Sequence, residues 1–132
     1  MNANAANKEL VFKDLSYKVC GLCFDVHNNL GRYRNERQYG DALEAMFREN
    51  KLAYQREFAL PISFEGEKSR RNIVDFLIDD KIVLDLKAKT IITKDDYFQM
   101  KRYLDSVNKK LGIIVNFRQK ALVPQRVLNK NV

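Results

Sequence analysis

The chain has 132 residues, 45% hydrophobic and 31% charged, which is the balance of one globular domain rather than of a disordered or fibrous chain. No apolar run approaches the roughly 20 residues that cross a bilayer, and the first residues, Met1-Asn-Ala-Asn-Ala-Ala-Asn-Lys8, lack the apolar heart of a signal peptide. The expectation is therefore a single domain over 1–132 with no membrane partner, in the cytoplasm near the nucleoid, or in the nucleus if eukaryotic. Lys and Arg outnumber Asp and Glu by 24 to 17, a formal charge of +7 that favours a polyanionic partner such as nucleic acid without establishing one.

Residues 1–9 are expected to be frayed. Leu15, Val19, Leu22, Val26 and Leu30 then recur at helical spacing, and Gly31 is a plausible stop. Cys20 and Cys23 have C-x-x-C spacing inside this pattern, but no second pair completes a zinc site, so they read as small apolar packing residues. His27, the only histidine, falls in the last turn, where it suits the helix dipole and reads as structural or solvent-facing.

A second helix is expected over 34–50, with Tyr39, Leu43, Met46 and Phe47 as its apolar face. Glu36 shares that inward face, either as a first-turn acid or as a member of a buried polar site. Residues 52–64 are extended, with Pro61 implying an edge or bend, and 65–68 form a turn. Strands near 71–78 and 82–88 flank Asp79-Asp80-Lys81. Thr93-Lys-Asp-Asp96 resembles a capping box and opens a helix over 94–109, with Tyr97, Met100, Leu104 and Val107 as its stripe. The run 111–117 reads as a strand buried on both faces, and a short strand near 126–128 closes the sheet. This order implies an α/β fold, an α+β sandwich in which helices flank a mixed sheet of four to five strands.

The hairpin carries charge where a core strand should carry none. Ionised groups are costly to bury unless they are paired or bound to metal, yet Asp75 interrupts the first strand and Asp85 and Lys87 the second. Side chains two apart share a face, so Asp85 and Lys87 point the same way. A two-residue turn at 79–80 throws Asp75 to the opposite face; a three-residue turn, Asp79-Asp80-Lys81, sets it across from Asp85. In that register two carboxylates converge as a site for Mg²⁺ or Mn²⁺, with Lys87 beside it to orient water or offset transition-state charge. The bland alternative is a solvated surface ion pair.

Asp75, then Asp85-Leu86-Lys87, then a helix and an apolar strand, resembles the PD-(D/E)XK nuclease superfamily. Gln99-Met-Lys-Arg-Tyr103 is similar to the Q-x-x-x-Y element of its RecB-like branch. Val26-His27, Leu30-Gly31, Glu36-Arg-Gln-Tyr39, Leu84-Asp-Leu-Lys-Ala88 and Leu111-Gly-Ile-Ile-Val-Asn-Phe117 resemble the small GxxExxY proteins, over about residues 15–128. Tyr33 stands where that motif has its first glycine, and Asp85 where it has glutamate.

The resemblance implies a restriction-endonuclease-like core and a Mg²⁺- or Mn²⁺-dependent phosphodiesterase acting on nucleic acid, taken as DNA. It implies Asp75, Asp85 and the Leu86 carbonyl as metal ligands, Glu36 as a direct or water-mediated ligand, and Lys87 as the catalytic lysine. Gln99 and Tyr103 would support the site. Lys89, Lys101 and Arg102 are candidate phosphate contacts by position alone, and a homodimer suits cleavage of two strands. The competing reading is an accessory nucleic-acid-binding module that keeps the fold without cleaving. A small-molecule enzyme has little support, because the chain has no glycine-rich phosphate loop and the lone histidine has no nucleophilic partner.

Overall fold

The structure, a computed structural model, describes residues 11–132; the fraying expected of 1–9 lies outside them. Helices α1 (Lys13–Leu30) and α2 (Glu36–Glu49) precede strands β1 (Tyr54–Ala59), β2 (Ile73–Ile78) and β3 (Ile82–Lys87). Helix α3 (Lys94–Val107) and strands β4 (Leu111–Asn116) and β5 (Gln125–Leu128) complete the order. The strands form one sheet in the order β1-β2-β3-β4-β5. Only the β3–β4 pair is parallel, with α3 as its crossover, giving the mixed, helix-flanked α+β sheet expected. Among the described residues no helix is long and apolar enough to cross a membrane.

Local chemistry sets the helix ends. Gly31 stops α1 at φ 77° and its N–H bonds the His27 carbonyl. Asn35 and Gln38 cap each other's main chain at the start of α2, which moves this helix to begin at Glu36 rather than 34. Thr93 and Asp96 form the expected reciprocal box on α3, and Asn108 ends that helix in the left-handed region, at φ 58°.

Two cores lie on the two sheet faces. Under α1 and α2, Val19, Val26, Leu43 and Phe47 pack on Phe76, Ile82, Leu84, Leu86, Ile113 and Val115. Under α3, Met100, Tyr103 and Leu104 meet Val74, Leu77, Val83, Ile114 and Val127. Gly112 makes the close approach of α3 possible, since a Cβ there would stand 2.4 Å from Met100 Sδ. The expected α3 stripe needs one correction. The buried line is Asp96, Met100, Tyr103 and Leu104, and Tyr97 turns outward beneath Lys101, whose Nζ is 5.5 Å from its ring centre.

The remaining expectations for α1 resolve simply. Cys20 and Cys23 are free thiols, and burial pushes both pKa values up, as for inert packing residues. His27 is buried, with Nε2 2.8 Å from the Gln119 carbonyl; it ties the loop after β4 to α1.

Candidate active site

The β2–β3 turn is Asp79-Asp80-Lys81, with pairing at Ile78–Ile82, Leu77–Val83 and Phe76–Leu84. This is the three-residue turn that the hairpin chemistry requires; within it Asp79 and Asp80 both adopt left-handed conformations, which aspartate tolerates better than most residues. Formal pairing stops at Phe76–Leu84, and one step further Asp75 faces Asp85. There Asp75 Oδ2 accepts a 2.6 Å hydrogen bond from the Leu86 N–H. A carboxylate thus occupies the place where a β2 carbonyl would have continued the ladder.

On its other side β2 is distorted at the same residue. Strand β1 pairs with β2 at every position from Tyr54 to Ala59 except Glu57, which adopts φ 52° and leaves Asp75 out of the ladder. Side chains change faces across this point. Arg56 lies over the Phe76 ring on the α1/α2 side, whereas Phe58 and Val74 pack beneath α3. Glu57 thus interrupts the β1–β2 ladder opposite the half-buried Asp75.

Burial pushes the Asp75 carboxyl up to about 8, helped by the Asp85 charge, by a hydrogen bond between the two carboxyl groups and by Glu36, against the opposing Leu86 N–H. A buried carboxyl held neutral beside a second acid is a position where a cation would relieve the repulsion. Leu86 directs its N–H at Asp75, while the next residue, Lys87, gives its carbonyl to Phe117 on the far side, at 2.9 Å. In a strand the N–H and C=O of one residue face the same neighbour, so the Leu86 carbonyl opens beside Asp75. Two carboxylates and one carbonyl fit a hard divalent cation that keeps several waters. Among the described residues no group of three or more His, Cys, Asp or Glu gathers into a metal-holding cluster.

Glu36 is exposed rather than on the inward face. As the first residue of α2 it lines, with Arg37, Arg56, Glu57 and Asp75, an open cleft of about 280 Å³, and its charge acts on both Asp75 and Lys87. Lys87 Nζ lies 3.0 Å from Asp85 Oδ2 and 3.9 Å from Asp96 Oδ1 and donates to Gln99 Oε1 at 3.2 Å. Burial works against its charge, but Asp85, then Asp96 and Glu36, outweigh burial and raise its pKa. The lysine is therefore held as an ammonium, a donor and not a base. Tyr103 is buried under Asp85, and burial followed by the Asp85 charge raises its pKa.

The expected phosphate contacts divide. Lys89 remains at the site, its Nζ 2.7 Å from Asp96 Oδ2, and Arg102 is exposed on α3 near Tyr103. Lys101 is not brought to the site. Its ammonium donates to the Leu128 carbonyl at 2.7 Å, and Leu128 pairs with Leu111 at the start of β4, the opposite end of the strands from Lys87, which pairs with Asn116.

Two site residues escaped the sequence reading. Asp96 was legible only as a cap, yet it also holds Lys89 and faces Lys87. Asn116, the polar residue inside the apolar run 111–117, is buried. It accepts from the Lys89 N–H at 3.1 Å and donates to the Lys89 carbonyl at 2.8 Å, fixing the chain just beyond β3. Its polarity within that run was the available signal.

No curated protein and no solved structure matches the chain. The model of the PD-(D/E)XK nuclease superfamily matches residues 13–127, which span every helix among the described residues and nearly all of the five-stranded sheet on which Asp75, Asp85 and Lys87 converge. The chain belongs to the PD-(D/E)XK nuclease superfamily.

Proposed function

We propose that this protein is a Mg²⁺- or Mn²⁺-dependent nuclease that hydrolyses phosphodiester bonds in DNA. The observation that carries the reading is the register of the hairpin, which sets Asp75 across from Asp85 with Lys87 on the same face. Asp75, Asp85 and the Leu86 carbonyl are the groups that would hold the ion, with Glu36 reaching it through water. When bound, such an ion neutralises phosphodiester charge and lowers the pKa of a coordinated water.

The chain's own groups supply the rest. Lys87, kept protonated by Asp85 and steadied by Gln99, donates to the attacking water or to the phosphoryl oxygens as negative charge grows there. Asp96 and Asn116 keep the segment after β3 in position, so that Lys89 and the ammonium of Lys87 face one opening. Tyr103 packs in the core under α3, within reach of the Asp85 charge. Arg102 and Lys89 are suited to flanking phosphates.

A second reading, an accessory nucleic-acid-binding module, draws on the lack of a three-residue metal-holding cluster among the described residues. Incubation of supercoiled, linear, single-stranded and branched DNA with Mg²⁺ or Mn²⁺ separates the two. The nuclease reading expects cleavage that Asp75→Asn and Asp85→Asn abolish. The module expects salt-sensitive binding indifferent to both changes.

A further inference from the structure

The loop between α1 and α2 holds a feature that the catalytic constellation does not use. Tyr33 is 75% exposed, although tyrosine normally buries most of its ring. The guanidinium carbons of Arg32 and Arg118 lie over that ring, 5.1 and 5.8 Å from its centre. Arg118 comes from the other end of the chain, just beyond β4, and its Nε donates to the Arg32 carbonyl at 2.8 Å. Arg32 Nε is buried without a hydrogen-bond partner, an unmet donor within the cluster. Neither contributing segment, 31–35 nor 117–120, contains an acid, and together they carry Arg32, Arg34, Arg118 and Lys120.

The cluster adjoins the site. Asn116 Oδ1 accepts from the main-chain N–H of Arg118 and from that of Lys89, so Arg118 is anchored by the residue that fixes the segment after Lys87. Tyr33 itself lies three residues before Glu36, which lines the cleft beside Asp75. An aromatic ring that stays three-quarters exposed with guanidinium groups against it is a surface on which an unpaired base stacks, while the guanidiniums take up phosphates. A base inside a duplex has no free face to offer it.

We propose that Tyr33, with Arg32 and Arg118, is a stacking platform for an unpaired nucleotide beside the cleaved phosphodiester, so that the preferred substrate has a single-stranded segment at the site. The inference rests on the nuclease reading for its substrate, but its test needs no cleavage.

The full chain in EDTA is titrated into fluorescent single-stranded oligothymidine and into a blunt duplex of equal length. The platform predicts that Tyr33→Ala weakens single-strand binding by roughly tenfold, the loss of one base–aromatic stack, with the salt dependence unchanged. Tyr33→Phe retains the affinity. Arg118→Ala lowers the salt slope by about one counterion. The chain has no tryptophan, so Tyr33→Trp provides a lone fluorophore, and quenching by the single strand but not by the duplex supports direct stacking. If the wild type binds the oligonucleotides but Tyr33→Ala binds equally well, or if Tyr33→Trp is not quenched, the platform is refuted and the nuclease reading stands. If the wild type binds neither nucleic acid, the platform is refuted, and the nuclease reading is decided by the cleavage assay with Mg²⁺ or Mn²⁺.

Discussion

Replacing Asp75 by asparagine should stabilise the metal-free protein, and only above pH 4. In the folded chain the Asp75 carboxyl is raised from 3.8 to about 8, chiefly by burial and then by Asp85. Between those values the folded state holds a proton that the unfolded state has released, so stability falls as pH rises through the window and the whole loss is present by about pH 8. Each pKa unit corresponds to about 1.4 kcal/mol, so the rise sets a ceiling of about 6 kcal/mol. The asparagine amide must itself be buried beside Asp85, which offsets part of this, so the expected gain for Asp75→Asn at pH 8 is on the order of 2–3 kcal/mol. Asparagine keeps an oxygen to accept from the Leu86 N–H, so the substitution removes charge without orphaning that donor. For a chain of this length the gain corresponds to a rise in Tm of about 10 °C. Thermal unfolding in EDTA, followed by circular dichroism at pH 4 and pH 8, measures it. Adding Mg²⁺ at pH 8 should recover stability in the wild type through binding to the native state and do little for the variant. A variant that is less stable at pH 8, or shifted equally at both pH values, would refute the account of Asp75 as a buried carboxyl whose charge costs stability.

Other consequences follow from single contacts. Asn116→Ala leaves the Lys89 N–H and carbonyl without partners and should lower stability by about 1–3 kcal/mol in urea unfolding. Gln99→Ala frees the Lys87 ammonium on one side; kcat should fall by about tenfold while KM for DNA changes little, since the ligand carboxylates are untouched. Lys101→Ala, at the opposite end of the sheet, should leave DNA affinity unchanged in a filter-binding assay, whereas Lys89→Ala should weaken it and reduce the salt slope by about one.

The sheet and its hairpin were readable because apolar runs, turn residues and caps all point to the same elements. The register was conditional in the sequence: Asp79-Asp80-Lys81 permits two- or three-residue turns, and only the pairing of Ile78 with Ile82 settles the choice. Glu36 was misjudged because helical spacing from Tyr39 ignores that Asn35 caps the helix one residue earlier; in the first turn Glu36 overhangs the sheet edge and faces the cleft. Lys101 was misplaced for a related reason. Adjacency to Gln99 in sequence rotates a residue about 100° around the helix, which here turns Lys101 toward β5. The distortion at Glu57, the second task of Asp96 and the clamp by Asn116 all depend on contacts between distant segments, which no local pattern encodes.

The most direct test of the central claim is metal-dependent cleavage of single-stranded, duplex and branched DNA by the wild type beside Lys87→Ala. Cleavage with Mg²⁺ or Mn²⁺ that disappears in Lys87→Ala is the predicted result. Undiminished cleavage by that variant, or none by the wild type with any of these substrates and metals, would contradict the assignment of Asp75, Asp85 and Lys87 as the centre of a nuclease.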